Sequence, residues 1–237
     1  MLSRQGAALV AEAVGTFLFF FVGAGAVVLA HYVGAAGPGL VGIALAHGLA
    51  LAVLVSALGA ISGGHFNPAV TVAVRLAGRI EWQTAATYVI AQLVGAAAAG
   101  YALIAVMPQS AVNTSFAGTP TLDPGIGLAA GITIEAVLTL VLVLTVFGTA
   151  IDSRAPRLGG MAIGLAVAAD ILVGGPLTGA AMNPARWFGP ALASGHWENW
   201  FVWWVGPLIG AIVGAVIFQY ALEGEAEPEV TPATPQG

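Results

Sequence analysis

Two Asn-Pro-Ala triplets, Asn67-Pro68-Ala69 and Asn183-Pro184-Ala185, stand 116 residues apart (183 − 67) in a chain of 237. Asn caps a helix with its side-chain oxygen, and Pro suits the first helical position, where its missing N–H is not needed. Each triplet therefore predicts a helix start after a Gly-containing extended segment, with short helices over about 69–77 and 185–194. At 1.5 Å per residue, such pieces reach about half-way across ~30 Å of hydrocarbon. Entering from opposite faces, they would bring their positive ends together at the centre. Each Asn can then point its amide NH₂ into a lumen, and a small molecule accepting from both has its lone pairs occupied. Two converging helix N-termini, with Arg186 directly after the second triplet, oppose hydronium and other cations while a neutral molecule passes.

Such half-helices need a membrane scaffold, and the composition supplies one. Hydrophobic residues make up 59% of the chain and charged residues only 7%, against about a quarter in a soluble domain. The net charge of −5 argues against a nucleic-acid partner, and the absence of Cys excludes a disulfide framework. Six stretches approach the roughly 20 residues needed to span a bilayer: 8–31, 39–60, 83–107, 126–150, 159–175 and 200–222. The first apolar run lacks a small-residue processing site and is taken as span one rather than a signal. No ten-residue alternation suggests a barrel. The six basic residues are all Arg, and with a cytoplasmic N-terminus five of them (Arg4, Arg75, Arg79, Arg154, Arg157) fall inside. Both termini are then cytoplasmic, and Arg186 is the exception. Residues 223–237 form an acidic, Pro-containing tail, expected to be disordered.

The two halves of the chain match. Residues 61–69 parallel 177–185 at the offset of 116, which also relates Gly48 to Gly164. Upstream, Glu12-Ala13-Val14 with Thr16 parallels Glu135-Ala136-Val137 with Thr139 at an offset of 123. Each half holds three spans, so the halves (about 5–107 and 126–222) must insert with opposite orientation. The expected fold is an all-α membrane protein: six transmembrane helices plus two re-entrant half-helices in an inverted three-helix repeat, forming one channel domain over 1–222.

Over about residues 5–222 the chain resembles the aquaporin, or major intrinsic protein, family. The resemblance is carried by Glu12-x-x-Gly-Thr-Phe, by Ile61-Ser-Gly-Gly-His-Phe-Asn-Pro-Ala-Val-Thr71, and by Ala91-Gln92-x-x-Gly-Ala. Glu135-x-x-x-Thr, Met182-Asn-Pro-Ala-Arg186 and Trp204-x-Gly-Pro add to it. It implies a homotetramer with one pore per subunit, permeated by water, and Glu12 and Glu135 as buried braces of the pore loops. It also implies a four-residue filter: His47, Ile171, Ala180 and Arg186. Strictly water-selective members carry Phe and His where this chain has His47 and Ile171. The set found here is similar to that of the plant vacuolar-membrane and ammonia-permeable animal branches, which implies ammonia, hydrogen peroxide or urea as further solutes. Trp187 and Ala191 stand where glycerol facilitators have Asp and a basic residue, which disfavours a glycerol channel.

Several readings compete. His65, two residues before Asn67, is expected to line the cytoplasmic half of the pore, while His31 and His196 near span ends read as interface residues. Four scattered His without Cys predict no metal and no cofactor. Ser62 and His65 lack a third member, so an enzyme is disfavoured. An ion-coupled secondary transporter is the alternative, with Glu12, Glu135 and Asp170 as its candidate coupling groups. Asp170 reads as a neutral or hydrogen-bonded core acid, and Trp187 as packing beneath the outer vestibule. Trp200, Trp203 and Trp204 suggest an interfacial belt. The short length points to a plasma membrane.

Overall fold

The computed structural model describes residues 2–37, 39–155 and 158–223. Among them the chain forms nine α-helices: α1 (Arg4–Val33), α2 (Gly39–Ser62), α3 (Pro68–Leu76), α4 (Trp82–Val106), α5 (Gln109–Ser115), α6 (Leu128–Val146), α7 (Met161–Thr178), α8 (Pro184–Ser194) and α9 (Val202–Ile217). Helices α1, α2, α4, α6, α7 and α9 are long and apolar enough to cross a membrane, α6 and α9 being extended by wider turns to Ile151 and Leu222. The short α3 and α8 begin at the Pro of each triplet, one residue earlier than the sequence suggests. Helix α1 starts at Arg4, where the Ser3 hydroxyl caps it by accepting from Gly6 N. Helix α7 runs past Pro176 to Thr178, and Pro176 lines the wide groove on that side. Helix α5 lies in the stretch 108–125, which the sequence offers only as a loop.

Small residues set the helix crossings. A Cβ on Gly48 would strike Gly164 O, and one on Gly164 would strike Gly48 O, so α2 and α7 touch backbone to backbone at positions equivalent in the two repeats. Likewise Gly95 of α4 lies against Ala13 O of α1, and Gly210 of α9 against Ala136 O of α6. These paired contacts mark a pseudo-two-fold axis in the membrane plane. In lipid, where apolar burial between helices gains little, such close approach is what binds them. The run of small residues Gly95 to Gly100 thus serves packing at both its ends, with Gly100 against Gly189 O of α8.

The basic residues gather at one end. Arg79 pairs with Glu223, and Arg154 bonds Asp152 (2.6 Å) and Leu222 O (3.0 Å), so the loops after α3 and α6 are both tied to the end of α9. Arg157 and tail residues 224–237 lie outside the described residues. The interfacial belt needs correction. Trp200 is exposed, but Trp203 is buried, stacked on Trp187 (5.6 Å) and donating Nε1–H to Thr178 O (2.9 Å).

Candidate functional site

The segment before each Asn is non-helical and passes through left-handed residues: Gly63, Gly64 and Phe66 (φ 48°) in the first, and Gly179, Ala180 (φ 45°) and Met182 (φ 51°) in the second. Non-glycine residues reach this region at a cost of order 1–3 kcal/mol. Their bonding offsets it. Phe66 N–H donates to Glu12 Oε2 (2.8 Å) and Met182 N–H to Glu135 Oε2 (2.7 Å). Each turn also aims its carbonyl at the other repeat. Asn67 Nδ2 donates to Met182 O (2.9 Å), and Asn183 Nδ2 donates to Phe66 O (3.0 Å). The same Asn side chains accept at Oδ1 from Ala69 N (2.8 Å) and Ala185 N (3.0 Å), capping α3 and α8.

This cross-linking changes one detail of the sequence reading. Of the two amide hydrogens on each Asn, one is held by the opposite loop, so one remains for the lumen rather than both. The gain is rigidity, since each amide plane is fixed at its oxygen and at one hydrogen.

Behind the loops sit the two buried carboxylates. Glu12 accepts from Ser62 Oγ (2.6 Å), His65 N (3.0 Å), Phe66 N and Gln92 Nε2 (2.7 Å). Glu135 accepts from Thr178 Oγ1 (2.6 Å), Ala181 N (3.0 Å) and Met182 N. Ser62 and Thr178, His65 and Ala181, and Phe66 and Met182 are partners at the offset of 116, so the two networks repeat each other. An ionised carboxylate at this depth is tolerated when its lone pairs are filled in this way.

A narrow cavity of about 40 Å³ runs past these loops, lined by Asn67 and Asn183 at its middle, by Gly63, Gly64 and His65 on one side, and by Ala180 and Ala181 on the other. A second, more open cavity of about 330 Å³ opens toward α5 and the stretch 116–124. The two share His47, Ile171 and Arg186, so these three stand at the neck between vestibule and lumen. Ala180 lines the lumen just below. The structure therefore brings the four filter candidates together around one constriction. His65 lines the lumen on the far side of the two Asn, with Nδ1 against Thr71 Oγ1 (3.1 Å).

Hydrogen bonding fixes the state of His47. Its Nδ1 faces Ile43 O (2.9 Å) and must carry the proton, so its Nε2 accepts from Arg186 Nε (3.1 Å). The ring is a neutral imidazole with both nitrogens engaged, and offers only carbon to a solute. It is recessed because α1 has Gly23 opposite, where a Cβ would come within 2.5 Å of the ring. Arg186 is held at a second point by Gly118 O, which accepts from Nη1 (2.8 Å). Sequence reasoning missed both Gly23 and Gly118. Neither carries a side chain, and only spatial proximity identifies them.

The remaining acid behaves otherwise. Asp170 is buried, but it faces neither cavity, and its Oδ2 has no hydrogen-bond partner among the described residues. The expectation of a hydrogen-bonded core acid is not met at that oxygen. Trp187 is fully buried between Trp203 and Trp197, beneath the vestibule side of α8. No cluster of His, Asp or Glu among the described residues could hold a metal ion.

Six spanning helices, two half-helices abutting at their N-termini and two cavities that adjoin at His47, Ile171 and Arg186 define an inverted-repeat membrane channel. Residues 3–218 match the family model described as major intrinsic protein, and the chain belongs to that family. It is 44% identical over 230 residues to Aquaporin TIP4-4 of Zea mays, spanning 93% of this chain and 89% of the relative. To Aquaporin TIP2-1 of Arabidopsis thaliana it is 43% identical, again covering 93% and 89%. Among solved structures, the aquaglyceroporin from Plasmodium falciparum superposes with a TM-score of 0.81 at 23% identity, over 92% of this chain and 96% of that one, a likeness of fold. The protein is thus an integral, multi-pass membrane channel, passive, for water and small solutes.

Proposed function

We propose that the channel passes water and ammonia, with His47, Ile171, Ala180 and Arg186 as the filter that sets this range. The observation that carries the reading is the neck itself: its wall is one alkyl side chain, one imidazole with both nitrogens occupied, and one guanidinium. A solute crossing it finds N–H donors on Arg186 alone and no acceptor on His47, so a small neutral molecule that can accept a hydrogen bond loses least there. Hydrogen peroxide and urea fit the same logic less well as size increases. Asn67 and Asn183 orient the passing molecule with one free amide hydrogen each, while the facing N-termini of α3 and α8 repel cations. Glu12 and Glu135 act as braces of the two loops, and His65 lines the cytoplasmic half.

The transporter alternative has no observation in its favour. Two of its coupling groups, Glu12 and Glu135, are saturated by backbone and side-chain donors, and Asp170 is outside the lumen. Homotetrameric assembly is part of the proposal and rests on the family resemblance; the large apolar side chains exposed along all six spans suit lipid and neighbouring copies alike. A plasma-membrane location, expected from length, is not supported by relatives of the TIP type.

The test is His47→Phe combined with Ile171→His, read by stopped-flow in vesicles with water, ammonia and urea. The ratio of ammonia to water permeability should fall in the variant. Unchanged solute ratios would reject the filter assignment.

A further inference from the structure

Arg186 depends on a carbonyl that belongs to an unusual piece of chain. Phe116 (φ 48°), Ala117 (φ 55°) and Gly118 (φ 79°) are three successive left-handed residues, two of them with side chains that disfavour the region. The Gly118 backbone is pressed on α1, where a Cβ would lie 2.6 Å from Ala24 O, so glycine is required at that point. Ala117 is fully buried among α1 and α5. Such a segment needs something to hold it, and its free edge is Phe116. The Phe116 ring stacks on the His196 ring at 4.0 Å between centroids and 15° between planes. His196 follows Gly195, which terminates α8, the helix whose first turn carries Arg186. Beside the stack, Thr119 Oγ1 lies 3.4 Å from Ser194 Oγ in the last turn of α8.

We infer that Phe116 and His196 form a latch that fixes the Gly118 carbonyl, and through it the position of Arg186 in the filter. Both are positioning residues: neither is at the neck, and each acts through the strained turn. The loop is thereby clasped to both ends of α8, by Arg186 at the first turn and by the stacked pair past the last. With the stack removed, the turn is free to relax toward ordinary backbone conformations. The guanidinium then keeps only His47 as acceptor, and the neck admits larger polar solutes more readily. Selectivity changes while the route for water persists.

This inference rests on the filter reading above, and the experiment separates the two. His196→Ala and Phe116→Ala are each reconstituted alongside His196→Tyr, Phe116→Tyr, the double Ala variant and Arg186→Val, with water and urea fluxes measured on each. Loss of one aromatic contact is expected to raise the urea-to-water ratio about twofold to fivefold. The Tyr variants, which keep an aromatic face, should restore the original ratio, and the double Ala variant should be no worse than either single one. Melting temperature and oligomer size, read on the same samples, identify a variant that has failed to fold; for any such position the Tyr variant decides by its flux ratio. If Arg186→Val shifts the ratio while the Ala variants do not, or if the two Ala effects simply multiply, the latch is refuted and the filter stands. If Arg186→Val itself leaves the ratio unchanged, the filter reading falls and the latch with it.

Discussion

The two pore loops share one hydrogen-bond network up to their triplets and differ in the side chains set around it. In both, a hydroxyl (Ser62, Thr178), two consecutive N–H groups and a buried Glu form the same network, and in both the left-handed residue offers its carbonyl to the opposite Asn. After the triplet the repeats part. The first continues Val70-Thr71, and Thr71 accepts from Gln92 Nε2 (2.9 Å) while facing His65. The second continues Arg186-Trp187, with Ala181 where the first has His65. One side of the pore is therefore backed by a polar cluster, the other by stacked indoles. On the proposed reading, the shared half of the design orients solute and excludes cations, a task symmetric about the midplane. Choosing among neutral solutes is then done once, which accords with only one repeat carrying Arg186 and the packing behind it.

The comparison can be broken most forcefully at the braces. Glu12 serves four donors and Glu135 three, so Glu12→Ala should be the more damaging, each orphaned donor costing about 1–3 kcal/mol. Thermal melting in detergent checks the order, and equal losses would argue against the count of donors as the cause. Next in size is Trp187→Thr, which gives the second loop the first loop's residue. Emptying the site against Trp203 should cost about 3–5 kcal/mol, with most of the loss on the vestibule side and a drop in expression of folded protein.

A change in the favourable direction is expected at Asp170, whose counterpart in the first repeat is Leu54. Asp170→Leu removes a buried carboxyl oxygen that has no hydrogen-bond partner among the described residues, and should raise stability by about 1–3 kcal/mol without altering flux. A lower melting temperature would point to an unrecognised role for the acid. The smallest effect belongs to the ties at the Arg-rich end. The Arg154 guanidinium, bonded to Asp152, holds that carboxyl down at about 2. A depressed carboxylate contributes above its unfolded pKa near about 4 and loses that contribution only as pH falls toward the folded value. Melting curves between pH 5 and 8 should therefore show no step from this exposed pair, and Asp152→Asn should leave flux unchanged.

Much of this was legible in the residues because the chemistry that shapes the pore is local. Asn-Pro announces a helix start, apolar length announces a span, and a fixed offset announces a repeat. The spans came within a few residues, and the ends drifted where caps and wide turns outweigh hydropathy, as at Ser3 and Phe147–Ile151. Contacts made by backbone alone could not be read. Gly118 O and the space opposite Gly23 carry no signature in the sequence, and α5 is too short and polar to announce itself. Trp203 looked like a belt residue by its neighbours, yet its partner Thr178 O lies 25 positions away.

The central claim is a passive passage formed where two capped half-helices meet. Osmotic shrinkage of vesicles containing the purified protein, in buffer with no ion gradient and with a proton-sensitive dye inside, tests it directly. The account predicts shrinkage far faster than in empty vesicles, without proton entry. Shrinkage no faster than in empty vesicles, shrinkage that requires an imposed gradient, or acidification in step with it, would contradict the account.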